Sequence, residues 1–331
     1  MHRLMPKLHP AERYAPADDL WLVTSYFNPC KYSTRRRNFE VFQRSLQHSG
    51  LRCITVECAF GDTPFELPAS EGVLQIRCRD VLWQKERLLN LAIANLPPSC
   101  AKVAWLDCDI MFENPLWAVE TSRLLDSVPV VQPFDKAYWL RPGEASHAGN
   151  GMVYDGFAAK IRREPATLRQ GNFNRHGHTG FAWAARRELL LEHGLYDVCL
   201  AGTGDHLMAH AMFGDWTSPC VRRMVGEATP LADSFAAWSA RLNDDVAGQV
   251  RSVKGGVLHL WHGEHVNRRY WDRNKELIKL GFDPKVDIAI DLNGGWCWSS
   301  DKPTLHRWAA VYFDGRREDT ATDSTTGGRP A

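Results

Sequence analysis

Val103-Ala-Trp-Leu-Asp107-Cys-Asp109-Ile-Met-Phe112 joins an apolar run to two carboxylates and then returns to apolar residues. The run reads as a buried strand that delivers Asp107 and Asp109 to a surface. Residues two apart in a strand point the same way, so both acids can face one ligand while Cys108 turns to the other side. Such a pair suits a hard divalent cation, which can hold a diphosphate, neutralise charge developing on it and orient the group that leaves. The bare triplet also fits a turn or a helix cap. Its neighbours carry the reading further. Asp80 to Asn95 has apolar residues at 81, 82, 88, 89, 92 and 93 in helical spacing, with Asp80 placed as a cap and Pro97-Pro98 as the stop. A helix feeding a strand that ends in paired acids is a nucleotide-binding arrangement, because ligands of open α/β sheets sit beyond the carboxyl ends of the strands.

Working outward, strands are expected at 21–24, 52–57, 73–76 and 128–133, with a helix over 38–49 that stops at Gly50. Strands alternating with helices and loops predict an α/β fold around a largely parallel sheet. Residues 135–177 read as an irregular, glycine-rich loop able to cover a site. A strand is expected from Phe181, helices over 186–193 and 204–213, and a strand over 255–262. The organisation is thus an irregular lead-in (1–19), a catalytic domain (20–270), an extension packed on it (271–315) and a disordered polar tail (316–331).

Composition bounds the class. The 331 residues are 44 % hydrophobic and 24 % charged, ordinary for a globular protein, and the net charge of +1 gives no general reason to expect nucleic acid. No apolar stretch approaches the roughly 20 residues of a membrane span, and the first residues lack a signal peptide's apolar centre. A cytoplasmic protein is expected. Nine cysteines without paired CxxC spacing argue against a disulfide framework and a zinc module.

Together with Lys85-Glu-Arg-Leu-Leu-Asn90, Thr179-Gly-Phe-Ala-Trp183 and Gly202-Thr-Gly-Asp205, the Asp107-Cys-Asp109 motif resembles GT-A fold glycosyltransferases, especially their galactosyl- and N-acetylgalactosaminyl-transferase branch. The resemblance spans roughly residues 20–270, and the order of pieces is the family order. It implies a GT-A sheet, Mn2+ or Mg2+ as cofactor, and a nucleotide-sugar donor, UDP-linked in this branch. Asp109 would bind the metal directly, and Asp107 would contact ribose or the metal's water. Thr24, Asn28 and Glu57 would hold the nucleoside, with Lys85 and Asn90 on the helix facing the nucleotide. Thr179, Gly180, Trp183 and Gly204 would lie on the acceptor side. Family members usually carry two acids in the later loop, where this chain has Gly204-Asp205-His206. Asp205 is then the candidate base for an inverting transfer, although an acid there also caps the following helix.

His259 and His262 stand three apart at the end of a strand, where the resembling galactosyltransferases place metal ligands. Imidazole beside carboxylate suits manganese, while a lone histidine at 259 equally fits a hydrogen-bonded core residue. Arg268 and Arg269 follow closely and are candidates for the donor diphosphate. His206 and His210 have zinc-pair spacing but lack the intervening Glu of a zinc protease, and His176 and His178 read as loop residues. The aromatic, basic stretch from 266 onward could stack sugars or bases or simply pack. A glycan, a lipid-linked sugar, a protein or a modified DNA base all remain possible acceptors. The rival readings are a metal-dependent nucleotidyltransferase, which would release pyrophosphate, and a non-catalytic glycan- or nucleic-acid-binding protein.

Overall fold

The computed structural model describes residues 19–47, 49–147, 149, 151–170, 175–270 and 272–319. Along the chain come β1 (Leu20–Phe27), α1 (Ser33–Gln47), β2 (Arg52–Phe60), β3 (Val73–Cys78), α2 (Lys85–Ala94) and β4 (Lys102–Leu106). Next are β5 (Ile110–Phe112), α3 (Trp117–Leu125), β6 (Val130–Gln132), β7 (Lys136–Trp139), β8 (Met152–Asp155), α4 (Phe157–Arg163), β9 (Ala182–Arg186) and α5 (Arg187–His193). The remainder is α6 (Gly204–Met212), α7 (Pro219–Val225), α8 (Pro230–Val246), β10 (Val250–Ser252), β11 (Gly256–His259), α9 (Arg273–Lys279), β12 (Ile288–Ile290), β13 (Trp296–Trp298) and α10 (Pro303–Asp314).

Seven strands form the main sheet in the order β10-β6-β9-β4-β1-β2-β3. All run parallel except β9, which is antiparallel to both β4 and β6. The fold is therefore mixed α/β with a mostly parallel sheet, as the alternation of elements predicts. Every residue of β4 is buried, which is why it reads as an unbroken apolar run. Its two faces still separate by period two. Val103 and Trp105 join the cluster containing Leu88 and Leu89 of α2, while Ala104 and Leu106 join Phe39 and Phe42 of α1. Each such large side chain contributes roughly 1.5–3 kcal/mol by leaving water. A second sheet, β5-β11-β7-β8, lies past the carboxyl end of β4.

Several expectations are corrected. The helix begins at Lys85, not Asp80, whose carboxylate accepts instead from the Trp298 amide at 3.0 Å. The first helix starts five residues earlier than read, at Ser33. The supposed loop 135–177 contains the β7–β8 hairpin and α4. Residues 316–319, assigned to a disordered tail, are packed into the protein with Arg316 and Glu318 buried. The lead-in up to residue 18 and the tail beyond 319 lie outside the described residues. No helix among the described residues is long and apolar enough to cross a membrane.

Candidate active site

The two acids of the opening motif part company. Thr24 Oγ1 donates to Leu106 O at 2.8 Å, locking the end of β4 against β1, and the chain then turns through residues 107–109 before β5. Because a turn replaces straight strand, Asp107 and Asp109 do not share one side as period two would have it. β5 pairs antiparallel with β11, Ile110 opposite His259, and Leu260 N donates to Asp109 O at 2.9 Å. That pairing sets Asp109 beside both histidines. Asp109 Oδ2 lies 3.0 Å from His262 Nε2, Asp109 Oδ1 lies 3.8 Å from His259 Nε2, and the two Nε2 atoms are 3.1 Å apart.

These three side chains offer ligand atoms within 4.8 Å of one another, and Asp109 Oδ1 is buried with no hydrogen-bond partner. A buried, unpartnered carboxylate oxygen is costly unless something positive meets it. Burial works to raise the Asp109 pKa, but His262 and His259 hold it well below the usual carboxylate range. Burial drives His259 well below the usual imidazole value, leaving the neutral form that coordinates metals. The donor set, one carboxylate and two imidazoles, fits a divalent cation and favours Mn2+ over the oxygen-seeking Mg2+. Glu318 Oε1 sits 3.4 Å from His262 Nδ1, the arrangement in which a carboxylate fixes the ring and turns its Nε2 lone pair to a metal.

Asp107 belongs to a second cluster. Lys85 Nζ lies 2.5 Å from Asp107 Oδ1 and 2.6 Å from Asp205 Oδ2, so one ammonium, at the first residue of α2, bridges the motif to the first turn of α6. Burial works against the Lys85 charge, yet the two carboxylates keep its pKa well above normal. Next to it Glu86 is buried, receives the Trp83 indole at 3.2 Å and lies where a Cβ on Gly204 would be. Burial, opposed by Lys85, pushes Glu86 up to about 8 and Asp107 to about 6.

A pH dependence follows. With its folded-state pKa raised, Glu86 contributes stability that is fully present below its ordinary value and is lost as pH rises through about 8. In metal-free protein, melting temperature is expected to fall between about pH 5 and about pH 8 more steeply in the wild type than in Glu86→Gln. Parallel curves for the two proteins would contradict the assignment.

Both clusters open into one cavity of about 620 Å³ whose walls include Trp83, Trp139, Tyr154 and Tyr270. Arg268 also lines it, reaching His262 Nε2 at 2.9 Å and the Tyr270 hydroxyl at 3.1 Å; among the described residues no carboxylate comes within ion-pair distance, and its Nε lacks a partner. Arg269 lines the cavity as well but is paired with Glu276 at 2.5 Å. Phe181 adopts φ +80°, unusual for a bulky residue; its carbonyl accepts from the Asp107 amide at 2.7 Å and its ring stacks between His178 and His259. Backbone strain of this kind persists where surrounding structure over-determines it.

The segment after α10 closes one side. Glu318 binds Arg35 through both oxygens, at 2.9 and 3.0 Å, and also pairs with Arg316. Asp319 accepts from the Ser33 and Thr34 amides, capping α1. The chain crosses Gly263, whose φ is +85° and where any Cβ would meet Arg317 O at 2.9 Å.

Asp107, Asp109, Lys85, Asp205, His259, His262, Arg268, Arg269, Thr179 and Gly180 thus all line the cavity. Others expected there do not. Thr24 is engaged with Leu106 as described, and strand alternation turns Ser25 and Phe27 to the cavity instead. Glu57 holds the following loop through the Glu66 and Leu67 amides, and Asn28 turns the chain after β1 by bonding Tyr32. Asn90 clamps the Leu195 backbone, Trp183 is core with its indole on Thr179 O, and Gly204 makes room for Glu86. Sequence reading missed Glu318, Arg35, Arg316 and Trp139. The aromatic and basic character of the stretch from 266 onward hinted at Arg316 alone, and nothing in the sequence marked Arg35, Trp139 or Glu318.

No protein family matches the chain, and no curated protein matches it. Among solved structures it is similar to glucosyl-3-phosphoglycerate synthase from Mycobacterium tuberculosis in complex with Mn2+, UDP-glucose and phosphoglyceric acid, at 12 % identity and TM-score 0.40, over 85 % of this chain and 86 % of that one. A β-1,4-galactosyltransferase 7 from Drosophila, complexed with manganese, UDP-Gal and xylobiose, also gives 12 % identity and TM-score 0.40, over 88 % and 98 %. A 4-diphosphocytidyl-2C-methyl-D-erythritol synthase from Anaerococcus prevotii gives 10 % and 0.34, over 73 % and 90 %. Likeness at this level leaves the activity to be read from the chain's own side chains.

Proposed function

We propose that this chain is a metal-dependent transferase of the GT-A type. More particularly, it is a glycosyltransferase that moves a sugar from a nucleoside-diphosphate donor, a UDP-sugar, to an acceptor hydroxyl with inversion. One observation carries this reading: a single Asp-Cys-Asp turn feeds both an Asp109–His259–His262 cluster and, through Lys85, an Asp107–Asp205 pair in the same cavity. A divalent cation held by Asp109, His259 and His262 would neutralise the donor diphosphate as it departs.

The chain's own groups account for the rest. Arg268, buried without a carboxylate partner among the described residues, is placed to pair with diphosphate oxygens, and Lys85 adds a second positive charge. Asp205 accepts the proton of the acceptor hydroxyl as that oxygen attacks the anomeric carbon, while Thr179 and Gly180 form the adjoining wall. The aromatic walls offer stacking faces that suit a sugar ring or a base. That leaves a glycan, a lipid-linked sugar, a protein or a modified DNA base as acceptor. All nine cysteines are free, in keeping with the reducing cytoplasm proposed for the protein.

Thermal melting with manganese and a panel of nucleotide sugars tests the donor, since a ligand at a hundredfold excess over its Kd stabilises by roughly 2.7 kcal/mol. A manganese-dependent rise with a UDP-sugar is expected. A rise with nucleoside triphosphates alone would instead make the protein a nucleotidyltransferase, and no rise with either would leave a binding protein. Asp205→Asn is expected to keep the donor-induced rise and to lose about 10²–10⁴-fold in transfer. Unchanged turnover would reduce Asp205 to a helix cap.

A further inference from the structure

Beside Asp205 lies a second group of potential ligands, two of which, His176 and His206, reach the same cavity. His176, His206, His210 and Cys220 are all buried, and each offers a ligand atom within 4.8 Å of the others. Cys220 Sγ is 3.4 Å from His176 Nε2 and 3.3 Å from His206 Nε2. A tetrahedral zinc ion with bonds of about 2.0–2.3 Å spaces its ligand atoms roughly 3.3–3.7 Å apart. The three imidazoles sit around the thiol with ring centroids 4.5 to 5.2 Å from one another.

A separate observation shows the group is aimed. His210 Nδ1 is 2.7 Å from Asp215 Oδ2, and that carboxylate is fixed by the Ser218 amide at 3.0 Å. The other ring nitrogen, His210 Nε2, is fully buried and has no hydrogen-bond partner. His176 Nδ1 meets Gly177 O at 3.0 Å, which leaves its Nε2 on the cluster side. A ring held at Nδ1 by a carboxylate or carbonyl, with Nε2 presented inward, is the outer arrangement of protein zinc sites. A core assembled for packing alone would not strand a polar nitrogen.

We infer that His176, His206, His210 and Cys220 form a structural zinc site that ties the segment before β9 to α6 and α7. The donor set has no position left open, as expected of a structural rather than a catalytic centre. On binding Zn2+ the Cys220 thiol gives its proton to solvent and the thiolate becomes the fourth ligand. The site stands independently of the glycosyltransferase reading. Its consequence for catalysis, fixing Asp205 one residue before His206 and Thr179 three residues after His176, rests on that reading.

Metal content of the purified full chain, by plasma mass spectrometry after dialysis against dilute chelator, is the test. One zinc per chain is expected, retained in Asp109→Ala and lost in Cys220→Ser and in His210→Ala. Protein refolded with Co2+ should show the near-ultraviolet thiolate-to-cobalt charge-transfer band and the strong visible bands of a tetrahedral ion. This second measurement uses the wild type and so does not depend on the variants folding. Folded wild-type protein that takes up neither metal stoichiometrically would overturn the inference. So would cobalt binding without the charge-transfer band, or zinc lost from Asp109→Ala and kept in Cys220→Ser, which would move the ion to the other cluster.

Discussion

Asp109→Ala is expected to lower sugar transfer by roughly 10³-fold or more, and to abolish the manganese-dependent stabilisation by a UDP-sugar while leaving the fold intact. The carboxylate is the one anionic member of the Asp109–His259–His262 group, and its Oδ1 has no other bond. Without it two imidazoles remain, 3.1 Å apart, and they hold a hard cation poorly because nothing offsets its charge. Transfer assays with varied manganese separate the outcomes. Loss that excess manganese partly restores marks weakened binding, while loss at every concentration marks misplacement of the donor. Activity equal to wild type at all concentrations would remove Asp109 from the metal site.

Glu318→Ala should have the largest effect on stability. The carboxylate is 1 % exposed and lies among Arg35, Arg316 and His262. Burial works to raise its pKa, yet Arg35 and Arg316 hold it far below the ordinary value, so it is charged at neutral pH. Its removal leaves the buried Arg316 and the partly buried Arg35 without a carboxylate, a change that costs about 3–5 kcal/mol. For a chain of this size that corresponds to a fall in melting temperature of roughly 10 °C. Loss of the His262 support should also weaken manganese binding by about 10–100-fold. Both are read in one calorimetric series with and without metal. A melting point within about 2 °C of wild type would show that the arginines find water or other partners instead.

What the sequence shows and what it hides divide along a physical line. β4 and its acids were legible because a strand buried on both faces must be continuously apolar and its end must meet the ligand side of the sheet. His259 and His262 were singled out by the resemblance rather than by their spacing alone, and the structure places both beside Asp109. Thr24 was misjudged by one place, since which parity of β1 faces the cavity is set by packing and both parities of that strand are buried. The β7–β8 hairpin escaped notice because its strands are four residues long and Met152 and Val153 are exposed, so neither periodicity nor apolar density marks them. Glu318 was invisible for another reason. It is an acid in a polar stretch, and its role depends on partners distant in the chain, Arg35 283 residues away and His262.

That last contact orders events in time. Synthesis runs from the amino end, and the sheet from β1 to β4 can begin to form while later segments are still being made. The group that orients His262, and the carboxylate that caps α1, arrive only with residues 318 and 319. Until those residues have been made and have crossed Gly263, the Asp109–His259–His262 corner lacks its outer support. On the proposed function, a nascent chain therefore carries its donor-side residues without their outer support until residues 318 and 319 have been added.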